Sequence, residues 1–241
     1  MSIYIGNNKY KEIYLGSNKI SEVYLGSNKI YGPITPGPIP TGAVRVRTSD
    51  GNKPTRGSDP YSSATYAEAL LVAGTTDVYD VLPQSGNYHD MLYSSTNVVE
   101  ILGANVSGVT DLSLAFRACF NLISVALFDT SSVNNMEYMF EECYSLTSVP
   151  LFDTSNVTSM SRMFHYCYSL KSIPLFNTSK VIDMDYMFRN CYMVEGGALA
   201  LYQQASTQTT PPSYHHYTFA NCGRDTVTGA AELAQIPSGW K

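Results

Sequence analysis

"MFEECYSLTSVPLFDTSNVT", residues 139–158, returns 24 residues later as "MFHYCYSLKSIPLFNTSKVI", residues 163–182. The period reaches beyond this pair. Cys119, Cys143, Cys167 and Cys191 are each 24 apart, as are Phe116, Phe140, Phe164 and Phe188, each three residues before its cysteine. The unit fades at both ends. Residues 90–110, "DMLYSSTNVVEILGANVSGVT", fit the frame with Leu92 in the Phe position, Ser95 in the Cys position and Ile101 matching Val125. At the far end Phe219 and Cys222 keep the F-x-x-C spacing after an irregular insertion. One such unit cannot bury its own apolar edge, so neighbouring units must stack, and the outermost ones are expected to be atypical.

Within a unit, Leu146, Val149 and Leu151 follow the L-x-x-L-x-L spacing of leucine-rich repeats. This spacing predicts a short strand that buries these three and turns Ser148, Pro150 and Phe152 the other way. "DTSN" supplies side-chain oxygens for a turn. Val157 returns inside. Met160, Met163, Phe164 and Cys167 then fall at i, i+3, i+4 and i+7, which predicts a short helix with Thr158 or Ser159 as its N-cap. The expected fold is an α/β solenoid, a leucine-rich-repeat coil of short strands and short helices over residues 88–241 with a degenerate C-terminal cap. The cysteines read as a ladder of small buried thiols. Met136, Met160 and Met184, and likewise Met139, Met163 and Met187, read as core ladders.

Upstream, "YIGNNKYKEI", "YLGSNKISEV" and "YLGSNKIYGP" begin at Tyr4, Tyr14 and Tyr24. Turn signals alternate there with β-branched and aromatic residues, which predicts three short strands over residues 1–32. So short a module cannot bury a core alone and is expected to attach to another protein or to oligomerise. "PITPGPIPTG", residues 33–42, reads as a semi-rigid extended linker. Residues 43–87 read as a small, mainly β cap. "AVRVRTSDG" and "DVYDVL" are predicted strands, and "ATYAEALLVAG" is either a short helix ended by Gly74 or a strand.

The chain of 241 residues has net charge −5, 15% charged residues and 19 tyrosines. That balance gives no electrostatic footprint for nucleic acid or anionic lipid. The neutral, hydroxyl-rich composition suits a surface that meets sugars or other proteins. No 18-residue apolar run exists, so no membrane insertion is expected. The N-terminus shows no basic segment followed by an apolar run, so no signal peptide is expected. No paired C-x₂₋₄-C ligands, phosphate loop, G-x-S-x-G or telling carboxylate pair occurs, so no metal, no cofactor and no enzymatic activity are expected. His215 and His216 are adjacent and point apart on a strand, which makes them poor joint ligands.

The stretch "LFDTSNVTSMSRMFHYCYSLKSIPLF" resembles the BspA-like leucine-rich-repeat surface proteins, clearly over residues 88–191. That resemblance implies a β-rich solenoid on bacterial surfaces, associated with adhesion, and brings no catalytic residues. The "YLGSNKI" decamers with their Pro-rich linker, and the ending "GALALYQQASTQTTPPS…TGAAELAQIPSGWK", look like phage tail or tail-fibre proteins. Together these imply a phage tail-associated receptor-binding protein made in the host cytoplasm and carried on the virion, with a bacterial surface adhesin and a structural tail component as the alternatives. The implied partners are a bacterial surface glycan or protein and other tail proteins held through residues 1–32.

Two sets of residues are candidate ligand contacts. Phe128, Phe152 and Phe176 recur every 24 residues. On the strand face opposite the core they would stack on sugars or anchor a partner, or pack on one another as rungs. The second set is where the copies differ: Ser113-Leu114, Glu137-Tyr138, Ser161-Arg162 and Asp185-Tyr186 after each buried methionine or its equivalent, and Arg117-Ala118, Glu141-Glu142, His165-Tyr166 and Arg189-Asn190 before each cysteine. Freedom to differ implies exposure, and Tyr138, Arg162, His165, Tyr166, Tyr186 and Arg189 are the good contact residues among them.

Overall fold

A computed structural model describes residues 14–15, 18–19, 23–25, 28–31, 37–55, 66–72, 75–83 and 88–241. The first decamer, residues 33–36 of the Pro/Gly stretch and Gly74 lie outside the described residues. In the remaining decamers β1 (Tyr14–Leu15) pairs antiparallel with β2 (Asn18–Lys19), and β3 (Val23–Leu25) with β4 (Asn28–Tyr31). Two residues separate Leu15 from Asn18 and Leu25 from Asn28, the length of a tight hairpin connection.

A five-stranded mixed sheet follows, in the order β6-β7-β5-β8-β9. β5 (Val44–Thr48) lies at its centre, antiparallel to β7 (Val78–Pro83) and to β8 (Val98–Ala104), and β6 (Tyr66–Leu71) forms an edge on β7. β9 (Ser124–Val125) pairs parallel with β8, with Ile101 opposite Val125, so this last pairing joins two successive repeats. "AVRVRT" places charged Arg45 in a buried strand. It is accepted there because its Nε and Nη2 donate to the Asp80 carboxylate at 2.7 and 2.8 Å. Arg45 Nη1 also donates to the Gly37 carbonyl at 2.8 Å, and Asn105 Nδ2 to that of Ile39 at 3.1 Å. The described end of the Pro/Gly stretch is thus tied to the sheet.

The expected α/β solenoid is not what the chain builds. The architecture is this small open sheet, and among the described residues the only α-helices are α1 (Ala198–Thr207) and α2 (Val227–Gln235). The segment read as helix, Met160–Cys167, is a run of turns. Arg162 and Tyr166 have φ of 55° and 63°, and the equivalent residues Leu114, Ala118, Tyr138, Glu142, Tyr186 and Asn190 share that left-handed conformation. A left-handed residue every fourth position breaks the helical i→i−4 ladder. The backbone bonds alternate instead. Tyr138, Phe140 and Glu142 N–H donate to Ser161, Met163 and His165 of the next unit at 2.8–2.9 Å, while Met139, Glu141 and Cys143 close tight turns within their own unit.

The strand expected over Leu146–Leu151 is likewise reduced to one parallel bridge, Ser124 to Ser148. Pro150 has no N–H for a ladder, and Phe152 N–H turns back to the Pro150 carbonyl at 3.0 Å. That turn inverts the expected facing. Leu151 is 58% exposed and Phe152 only 2%. Phe152 fills the core against Phe140, ring centroids 6.2 Å apart.

Successive units lie side by side through that core. Phe116, Phe140, Phe164, Phe188 and Phe219 stack at 5.2–6.0 Å. Each buried thiol of Cys119, Cys143, Cys167 and Cys191 donates to a carbonyl of the preceding unit at 3.0–3.2 Å. The "DTS" motif has two tasks. Asp153 Oδ1 accepts from Ser155 N–H at 3.0 Å, closing the turn, and Thr154 Oγ1 donates to the Asn177 carbonyl of the next unit at 2.9 Å. At the far end α1 starts on Gly197, whose φ is 100° and where a Cβ would fall 2.3 Å from the Ile173 carbonyl oxygen, leaving no room for a side chain. α2 is capped by Thr226, whose hydroxyl accepts from Gly229 N–H at 3.0 Å. Trp240 lies over the end of the phenylalanine stack, 6.3 Å from Phe219.

Candidate functional site

The left-handed turns decide where the variable side chains go. Two positions per unit, two and five residues after each buried methionine or its equivalent, bring their side chains into one row. Tyr93, Arg117, Tyr138, Arg162, Tyr186, Arg189 and Tyr217 lie along it. Arg117 lies 5.5 Å from the Tyr93 ring centroid and 5.8 Å from that of Tyr138. Arg162 lies 5.5 Å from Tyr138 and 4.8 Å from Tyr186. Arg189 lies 5.3 Å from Tyr186 and 5.6 Å from Tyr217. Arg117 and Arg162 thus each contact two rings, whereas Tyr186 and Tyr217 stack directly on each other at 5.4 Å and Arg189 flanks that pair rather than separating it; such contacts order long side chains while leaving them half-exposed. A second row runs alongside: Phe120, Tyr144, Tyr168 and Tyr192 stack at 5.0–5.3 Å, ending under Arg224 at 3.9 Å. Burial, with help from Glu142 and Tyr168, pushes the Tyr144 hydroxyl up to about 12, so it stays a protonated donor.

Beneath the first row lies a buried charge cluster. Glu141 is 2% exposed. Its carboxylate is 2.7 Å from Arg117 Nε, 3.0 Å from His165 Nδ1 and 3.8 Å from Arg162 Nη1. Burial works to lower the Arg117 pKa, but the field of Glu141, with Tyr93 and Glu142, outweighs it and holds the group above its ordinary value. His165 is itself buried, stacked on Tyr166 at 3.9 Å.

Of the positions singled out in the sequence, Arg117, Tyr138, Arg162, Tyr186 and Arg189 come together in the row, and Tyr166 lies beside it on His165. His165 is a correction: it is a buried partner of Glu141, because an unpaired Glu141 in that place would be costly. Freedom to differ between copies did not mean exposure, since Ser113, Ala118, Glu141 and Asn190 are buried as well. Phe128, Phe152 and Phe176 are a second correction. All three are buried, Phe152 and Phe176 on the core phenylalanines and Phe128 on Phe152 at 5.2 Å, so they offer no ligand platform. The exposed positions are their neighbours Leu127, Leu151 and Leu175. Tyr93 and Tyr217 escaped the sequence reading, yet the repeat frame contains them: Tyr217 stands two residues before Phe219, as Tyr186 does before Phe188, and Tyr93 follows Leu92 as Arg117 follows Phe116. His215 stacks on Trp240 at 4.2 Å and His216 Nδ1 meets Asp185 at 3.2 Å, so the two have different tasks. Among the described residues no group of three or more His, Cys, Asp or Glu is placed to hold a metal ion, and no helix is long and apolar enough to cross a membrane.

Residues 87–199 match a family described as "Mycoplasma protein of unknown function, DUF285". That family is associated with BspA-like repeat proteins. The match covers the 24-residue repeats and with them most of the Tyr/Arg row, leaving Tyr217 beyond it. No curated protein and no solved structure matches the chain.

Proposed function

We propose that the chain is a non-enzymatic binding protein of the BspA-like repeat kind, carried on a phage tail, which docks its Tyr/Arg row on a bacterial cell-surface ligand. The observation that carries this reading is the row itself. Seven side chains from six repeat units form one ordered, half-exposed line, drawn from positions where otherwise near-identical units differ. The core ladders recur in unit after unit, whereas these positions vary and stay half-exposed, and Tyr and Arg are among the residues that dominate binding interfaces. Residues 1–32 then serve as the attachment or oligomerisation module to other tail proteins, and the virion presents many copies, which multiplies weak single contacts.

The test is fluorescently labelled full-length protein mixed with a panel of bacterial strains, alongside a Tyr138→Ala/Tyr186→Ala variant of unchanged circular dichroism. Binding to some strains that falls about tenfold or more in the variant supports the reading, the size expected for loss of two hot-spot side chains. Binding to no strain favours a structural tail component instead. Strain binding that the variant leaves intact removes the Tyr/Arg row from the function.

A further inference from the structure

In a chain of net charge −5, three of the seven arginines lie in the Tyr/Arg row. Their charges are unequally spent. Arg117 is closely paired with Glu141 at 2.7 Å, while Arg162 reaches the same carboxylate only at 3.8 Å. Arg189 makes no ion pair and no side-chain hydrogen bond among the described residues, and its Nε is buried without a partner. One buried carboxylate therefore serves two of the row's three guanidinium groups, and the third has none. The other acids nearby are turned to different partners: Asp185 to His216 at 3.2 Å, Glu137 to the Ser159 hydroxyl at 2.6 Å and Glu142 to the Tyr144 hydroxyl at 3.5 Å.

The stacking sets how that surplus charge is offered. A guanidinium held over an aromatic ring uses its flat face in the contact and keeps its in-plane N–H groups for a planar anion such as a carboxylate. Arg117 and Arg162 cover the Tyr138 ring, and Arg162 and the stacked Tyr217 ring cover that of Tyr186, so these rings present edges and hydroxyl groups rather than stacking surfaces. The row consequently offers anion donors among phenol hydroxyls, with Tyr138 between Arg117 and Arg162 and Tyr186 in contact with both Arg162 and Arg189. A partner that fits must be long, hydroxyl-rich and negatively charged at intervals.

We propose that the row binds a linear polysaccharide bearing carboxylates along its length, gripped mainly by Arg162 and Arg189. This rests on the docking role proposed for the row and names the chemistry of its ligand. The experiment uses affinity electrophoresis of the full chain through native gels containing polygalacturonate, alginate, hyaluronate or polysialic acid, with neutral dextran and poly-glutamate as controls. Wild type is expected to be retarded by at least one carboxylated glycan and not by dextran. Retardation is expected to weaken about tenfold for each of Arg162→Gln and Arg189→Gln, the size of one lost charged hydrogen-bonding partner, and to fade as salt rises. The near-UV circular dichroism of both variants is expected to match wild type. No retardation by any of the four glycans, equal retardation by dextran, retardation by poly-glutamate alone, or insensitivity to both variants overturns the proposal. Cell binding by wild type that neither variant changes sinks the acidic-ligand inference while leaving the docking role standing, and the absence of any cell binding sinks the docking role itself.

Discussion

Glu142, in the repeated "MFEECYSL", tests the left-handed turns directly. Its φ is 62°, and its N–H donates to the His165 carbonyl of the next unit at 2.8 Å. Glu142→Gly and Glu142→Val delete the same carboxylate, so the difference between them isolates the backbone. In the left-handed region a side chain costs roughly 1–2 kcal/mol, and a β-branched one is the worst case. Glycine escapes that cost but gives up roughly 0.5–1 kcal/mol to the greater freedom of the unfolded chain. The expected result is a glycine variant more stable than the valine variant by about 1 kcal/mol. Were residues 136–143 helical, the order would reverse, because glycine is the poorer helix former by a few tenths of a kcal/mol. Urea unfolding followed by circular dichroism reads the difference, since a gap of that size moves the midpoint by several tenths of a molar at ordinary m-values. A valine variant equal to or more stable than the glycine variant refutes the turn architecture of the repeats.

Three further outcomes follow from the packing. Phe152→Ala is expected to cost about 3–5 kcal/mol, whereas Leu151→Ser is expected to change stability by less than about 0.5 kcal/mol; chemical denaturation of the two variants checks the inverted facing. Burial raises the pKa of all five thiols, that of Cys119 to about 12. Thiolate being the reactive form, an aromatic disulfide reagent at pH 8 is expected to leave the folded chain unmodified and to titrate five thiols in urea. Asp183 is held above the usual carboxylate range by burial, with Asp185 and Glu137 adding to it. An acid whose folded pKa is raised loses stability as pH climbs from its unfolded to its folded pKa. Asp183→Asn, which can still accept from Asp185 N–H as Asn135 does from Glu137 N–H, is expected to raise Tm at pH 7, with the gain vanishing near pH 3.

The 24-residue period determined a great deal without any coordinates. Identical spacing of Phe, Cys and Met requires side-by-side units with aligned core ladders, because only stacking buries the apolar edge of each unit. It also separated positions that repeat from positions that vary, and five of the seven row residues, all but Tyr93 and Tyr217, were legible for that reason. Backbone conformation within the unit was not legible. The i, i+3, i+4, i+7 spacing of Met160, Met163, Phe164 and Cys167 is shared by a helix and by consecutive tight turns that return side chains to the same side. The choice rests on hydrogen bonds from each unit to the next, which pull alternate N–H groups out of the local ladder. Left-handed Tyr, Arg and Glu cost local energy that only those inter-unit bonds offset. The inversion of Leu151 and Phe152 has the same origin, for the larger side chain goes inside where a phenylalanine stack already exists to receive it. His165 and Glu141 differ between copies and are nonetheless buried, because they satisfy each other across two units, a pairing that no single copy of the repeat contains.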